Sequence, residues 1–404
     1  MISKLFLLLF TFCSVISAGD VVIKSLRAFK STDQTSAPII TRGEKLTIEF
    51  DVASDLIPDL AIVFRFCDRD WKPVENIFLD NTGNNIAYNL WFESVPVTNS
   101  GADYHFSRSF PDKDVTFPFS GKWKFYITDS QDTGKVFASG RFIAAFPKTR
   151  LASRIRKRRY EGNTMEESTL GQVFRISTDT VLPDTLLSSR ILNLEIIENR
   201  KFDEPIIIEK GMNENDRYFE WNGIDELTFI ADNMQPGNEY RQTNLMNRDK
   251  YQPPETYAQF DGIEVSRYYV RGDKDFNGGS RLRRYDNVYA VYMDVLFEIR
   301  PPENFNHDIF VTGAFNDWQL SPEYKLKIED GVYYTWIELK RGIYDYQYVT
   351  GNYKNGSIEN ADWFELEGNS WETGNDYFIF LYYQSDELGE YEDLIGFTKI
   401  SSGE

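Results

Sequence analysis

Apolar and polar residues alternate with a period of two along most of this chain. Leu46-Thr-Ile-Glu-Phe-Asp-Val52 puts Leu46, Ile48, Phe50 and Val52 on one face of an extended segment and Thr47, Glu49 and Asp51 on the other. Trp123, Phe125 and Ile127 alternate in the same way with Lys122, Lys124 and Tyr126, and Tyr344, Tyr346 and Tyr348 with Asp345 and Gln347. Successive side chains of a strand point to opposite faces, so each pattern predicts a half-buried β-strand. The run 377–383 is apolar on both faces and fits a central strand. Further strands are expected around 190–198, 227–231 and 288–299. Helical periodicity is nearly absent. Strands of this kind between Gly, Pro, Asn and Asp turns predict an all-β fold of tandem antiparallel β-sandwiches, immunoglobulin-like or early-set-like in architecture.

Breaks in the pattern suggest the organisation. Residues 1–19 open with Lys4, an uncharged apolar run over 5–12 and small residues near Gly19, which reads as a secretory signal peptide too short to span a membrane. Phe12 before Cys13 is not the small residue that a lipid-anchor signal needs. A first sandwich is expected over 20–147. A basic run, Lys148-Thr-Arg-Leu-Ala-Ser-Arg-Ile-Arg-Lys-Arg-Arg159, then opens a middle β-rich domain over 148–300. Its polar stretches 238–244 and 267–284 are expected to be loops or hairpin ends. Pro301-Pro302 is read as a stiff hinge. A last sandwich with an acidic tail is expected over 301–404.

Composition narrows the function classes. Aromatic residues make up 16% of the chain, which suits pleated strands. The formal charge is −19, and loss of Lys4 with the leader makes it one unit more negative, so nucleic acid and anionic membrane surfaces are poor partners. Cys67 would be left without a second cysteine, and its apolar surroundings mark it as a packing thiol.

Candidate chemistry is sparse. His105 and His307 are the two histidines, and no Gly-x-Ser-x-Gly elbow is present, which argues against nucleophilic catalysis and a histidine-rich zinc site. Asp68 and Asp70 precede Pro73 and fit a turn better than a carboxylate pair. Asp273, Asp275 and Asn277 before Gly278 imitate the start of a calcium loop, but Arg284 stands where a bidentate Glu is required, so no metal is assigned. No cofactor is called for. Arg154, Arg156, Lys157, Arg158 and Arg159 form the one strongly basic stretch of an acidic chain. It is either a charged edge strand or linker, or a contact for an acidic partner.

Ile309-Phe-Val-Thr-Gly-Ala-Phe-Asn-Asp-Trp318, with the tyrosine-rich strand after Gly342, resembles the early-set sandwiches that accompany starch- and glycogen-active enzymes. That resemblance implies a core role for Trp318 and Trp336. Glycogen-binding relatives place a sugar-facing Trp after the equivalent strand, where this chain has Gly351-Asn-Tyr353, which leaves Tyr353 as the one candidate for stacking on sugar. Four signatures together resemble a single family. They are Phe66-Cys-Asp-Arg-Asp-Trp-Lys-Pro73, Pro236-Gly-Asn-Glu-Tyr-Arg241, Gly313-Ala-Phe-Asn-Asp-Trp318, and Glu367-Gly-Asn-Ser-Trp-Glu-Thr-Gly-Asn-Asp-Tyr377 with Tyr391-Glu-Asp-Leu-Ile-Gly396. Their order is similar to that of the plug proteins of the type IX secretion system of Bacteroidota. This implies a non-enzymatic periplasmic protein that docks on the inner end of the outer-membrane translocon barrel and closes it, without itself inserting into the membrane. The alternatives are a secreted carbohydrate-binding protein serving polysaccharide uptake and a glycosidase accessory chain.

Overall fold

The computed structural model describes residues 21–159, 171–267 and 274–403. Those residues form β-strands joined by turns, with two short 3-10 turns at Ser188–Arg190 and Pro322–Tyr324. The expected leader lies outside the described residues.

The first sandwich is built from two antiparallel-dominated sheets. One runs, in spatial order, Val22–Lys30, Leu46–Ala53, Tyr104–Phe110 and Glu93–Ser94. The other runs Ile39–Ile40, Val136–Ala144, Gly121–Asp129, Leu60–Cys67 and Ile86–Ala87. The inward residues are those the alternation selects: Ile48, Phe50 and Val52 from one sheet meet Phe64, Trp123, Phe125 and Phe142 from the other. Phe64 lies 5.0 Å from Phe110 and 5.3 Å from Phe117 in edge-to-face contact, the geometry that aromatic quadrupoles favour.

The middle sandwich does not follow the expected boundaries. One of its sheets runs Ala152–Arg159, Gln172–Val181, Glu226–Met234 and Arg217–Trp221. The facing sheet runs Ile206–Glu209, Ile191–Glu198, Asp376–Gln384 and Glu392–Ser401, so the last two strands of the chain return to complete it. Asp376–Gln384 is indeed central and apolar on both faces. Its partner, however, is Ile191–Glu198, with Leu194 opposite Leu381, rather than a strand of the last module.

The third sandwich lies between these halves in sequence. The 13-residue strand Gly342–Lys354 is its spine, pairing with Arg241–Asn244, Ser280–Leu282, Asp308–Gly313 and Ser357–Asp362. The opposing sheet runs Glu255–Tyr257, Tyr292–Arg300, Val332–Lys340 and Lys327–Glu329, with Glu264–Val265 also on Tyr292–Arg300. Two sequence expectations change here. Pro301-Pro302 is a turn inside this sandwich, because Tyr292–Arg300 before it and Asp308–Gly313 after it belong to the two facing sheets. The polar stretches 238–244 and 267–284 each contain a short strand, held by pairing to Gly342–Lys354 rather than by alternation of their own.

Candidate functional site

The four signatures converge where the three sandwiches meet. Pro236 to Arg241 leaves the middle sandwich through Gly237, whose φ of +71° is a left-handed conformation that glycine adopts without strain. Its amide donates to Asn369 Oδ1, and the Asn375 side-chain amide donates to the Pro236 carbonyl. Arg241 Nε donates to both carboxylate oxygens of Glu367 at 2.9 Å, and Nη1 to Glu264 at 2.8 Å. Burial alone would lower the Arg241 pKa, but the charges of Glu367 and Glu264 outweigh it and hold the guanidinium ionised. Segments remote in sequence are thus tied by buried, charge-assisted hydrogen bonds.

The two tryptophan signatures close the same junction from other sides. Trp318 Nε1 donates to the Gly278 carbonyl at 2.8 Å, and its ring lies 4.2 Å from Tyr240. A Cβ on Gly278 would stand 2.9 Å from that nitrogen, so the glycine permits the contact. Trp71, at a φ of +60°, reaches out of the first sandwich to Phe202 of the middle one, with ring centroids 5.9 Å apart. The Asp68 carboxylate accepts the amides of Asp70 and Lys72 and so builds the turn that presents Trp71. Arg141 stacks over Trp71 and joins Asp203 of the middle sandwich to Asp317 of the third.

Further buried ion pairs cross the boundaries. Lys122 of the first sandwich meets Glu195 of the middle one at 2.9 Å, both inaccessible to solvent. Burial pushes the Glu195 carboxyl above its ordinary value despite the lysine. Asp51 of the first sandwich accepts from Lys340 at 2.6 Å and Tyr292 at 2.8 Å, both of the third, and meets His105 at 2.7 Å. Burial would raise the Asp51 pKa, but its bonds to His105 and Lys340 hold it below the usual carboxylate range. His105 is therefore part of a structural joint. His307 lies against Phe305 in another part of the molecule.

Three carboxylates stand beside the Pro236–Arg241 segment, Asp345 and Glu239 buried and Asp275 half-buried. Asp345 accepts from the amides of Phe276 and Gly278 and from Gln242, Asp275 from the amides of Asn277 and Tyr240, and Glu239 from Gly374. Burial and the neighbouring Asp345 push Asp275 up to about 8, and burial pushes Asp345 to about 6. Among the described residues no cluster is arranged to hold a metal ion, and Asp273 lies outside them. Cys67 is buried, which pushes its thiol up to about 12.

The basic run forms the edge strand Ala152–Arg159, paired on one side with Gln172–Val181. Ser153 and Ile155 face inward, while Arg154, Arg156 and Arg158 share the outer face. Arg154 is paired with Asp179, Arg158 with Asp232, and Arg159 lies over the Trp371 ring. Arg156 and Lys157 have no ion-pair partner among the described residues. In the third sandwich Trp318 is core, whereas Trp336 is 45% exposed, because its face of Val332–Lys340 is turned to solvent. Tyr353 is 41% exposed near the end of Gly342–Lys354, with the Lys325 ammonium over its ring. Sequence reasoning missed Lys122, Arg141 and Lys340: a lysine or arginine on a strand's outer face carries no mark that another domain will cover it.

None of the curated proteins compared matches this chain. A crystal structure of a hypothetical protein from Parabacteroides merdae ATCC 43184 is similar in fold, with a TM-score of 0.75 at 19% identity over 95% of this chain and 99% of that one. Residues 23–145, which span the first sandwich, match the family described as Type 9 secretion system plug protein 1st domain. The first sandwich of this chain thus carries the match to a type 9 secretion system plug domain, which supports a role related to that secretion system.

Proposed function

We propose that this chain is a non-enzymatic periplasmic plug that docks on the inner end of the type IX outer-membrane translocon barrel and closes it between substrates. The plug-domain match over residues 23–145 is the observation that carries this reading. The physical form suits it. Three sandwiches joined by buried ion pairs make a stiff obstruction, since separating them would strand Lys122, Glu195, Asp51 and Lys340 without partners. No helix among the described residues is long and apolar enough to cross a membrane, so attachment through a protein partner fits the reading. The exposed edge strand Ala152–Arg159, with Arg154, Arg156, Lys157, Arg158 and Arg159, is the contact we assign to an acidic partner surface. Tagged protein purified from solubilised outer membranes should bring down a very large barrel protein. Recovery only as a free monomer, from membranes in which that barrel is present, would refute the docking.

A further inference from the structure

On one side of the first sandwich both sheets end in strands of two residues. Glu93–Ser94 pairs only with His105 and Tyr104, and Ile86–Ala87 only with Val63 and Ile62. Over residues 106–110 the strand Tyr104–Phe110 is therefore bonded to Leu46–Ala53 alone. Its other edge presents backbone donors and acceptors with no strand partner among the described residues.

The segment that joins the two short strands bends at Asn89, whose φ is +51°, and then crosses this open side over residues 90–92. Leu90 and Phe92 turn into the core, Phe92 lying 5.8 Å from Phe106. Alternation throws Trp91 the other way, where 83% of its surface is exposed, although Trp71, Trp123, Trp318 and Trp363 are all buried. Between this segment and the open edge lies a cleft of about 850 Å³, with Ile86, Tyr88 and Trp91 on one wall and Ser107 and Arg108 on the other. The cleft carries little net charge. Arg108 is held by Asp112 at 2.6 Å and Asp114 at 2.7 Å, and Glu93 and Lys113 at the lining are of opposite sign.

We infer that this cleft binds an extended, uncharged polypeptide segment, which adds to the open edge of Tyr104–Phe110 as a further strand and lays an apolar side chain against Trp91 and Tyr88. An open strand edge is matched by another extended backbone, whose hydrogen bonds supply affinity, while the pocket beside it selects alternate side chains. The charges that line the cleft nearly cancel, so a charged segment would gain no net complementary charge here, in contrast to the basic strand Ala152–Arg159, which is a separate surface.

The test uses the full mature chain and two capped seven-residue peptides alternating Thr and Val, one of them N-methylated at alternate residues on its bonding edge. Calorimetry should show saturable binding of the unmodified peptide with a Kd below about 1 mM. Trp91→Ala, which leaves the core untouched and should melt like the wild type, should weaken it at least about tenfold, as should N-methylation. Hydrogen exchange of the 106–110 amides should slow in the complex. Absence of saturable heat, equal binding of the N-methylated peptide, or unchanged exchange at 106–110 would overturn strand addition. Saturation of the cleft by maltohexaose or cellohexaose, abolished by Trp91→Ala, would make it a glycan site instead.

Discussion

Lys122 shows how one residue decides the relation between domains. It alternates with Trp123 on Gly121–Asp129, so its own strand turns it away from the first core, yet Glu195 of the middle sandwich receives it in a fully buried pair. A buried pair is costly to break from one side, because the remaining charge has neither water nor partner. Lys122→Ala should therefore destabilise the protein by about 3–5 kcal/mol in urea unfolding. Lys122→Met combined with Glu195→Leu should recover most of that loss, and failure of the double variant to recover would show that the cost lies in packing rather than charge. Asp275 gives a second test. Its folded pKa of about 8 lies above the ordinary 3.8, so between those values the folded chain binds more protons than the unfolded one. Stability contributed this way must fall as pH rises through that window, by up to about 1.4 kcal/mol per pH unit for one carboxylate. Unfolding free energy measured from pH 5 to 9 should decline in the wild type and decline less in Asp275→Asn, whatever that variant's offset; an unchanged slope would remove Asp275 from the account. The signature residues Trp71, Arg241 and Trp318 were legible in the sequence because rare residue types stand in fixed local patterns. Lys122, Arg141 and Lys340 were not, since only the neighbouring domain distinguishes them from solvated cations.

Among the strands, those with their own alternation were readable and those defined by a neighbour were not. Leu46–Ala53 and Gly121–Asp129 carry a full period-two pattern, whereas Arg241–Asn244 and Ser280–Leu282 are polar and extended because Gly342–Lys354 offers them its edges. Ala152–Arg159 reads as basic in sequence and proves to be an edge strand, where lysine and arginine discourage unspecific pairing. Changing Arg154, Arg156, Lys157 and Arg158 to Ser should shift stability by less than about 1 kcal/mol, since the cations of the two ion pairs lost are exposed and Asp232 keeps Arg175 as a partner. The same variant should bind its partner more weakly at low salt, and wild-type binding should itself fall as salt rises. Unchanged affinity at low salt would move the interface elsewhere. For the third sandwich, Tyr353 beside Lys325 is a poor substitute for a sugar-facing tryptophan. Calorimetry with starch, glycogen and β-glucans should give no saturable heat, and micromolar binding abolished by Tyr353→Ala would instead support the carbohydrate-binding reading.

The whole molecule is less modular than the order of its strands suggests. Residues 376–401 cross back to complete the middle sandwich, so the third one is inserted between that sandwich's two halves rather than appended at the end. Such a connection was not legible, because the apolar run 377–383 fits any central strand and its partner Ile191–Glu198 lies far away in sequence. Its consequence is mechanical: the signature segments 236–241 and 367–377 are the two crossings between middle and third sandwiches, and Arg241 with Glu367 clamps them together. A body fastened in this way can close a wide pore without deforming. The most direct test is the permeability of an outer membrane that keeps the translocon barrel but lacks this protein. Uptake of a large polar dye should rise in the deletion strain and return to normal on complementation with the full chain. An envelope that stays as tight as the wild type, with the barrel shown to be present and open to substrate, would contradict the plug.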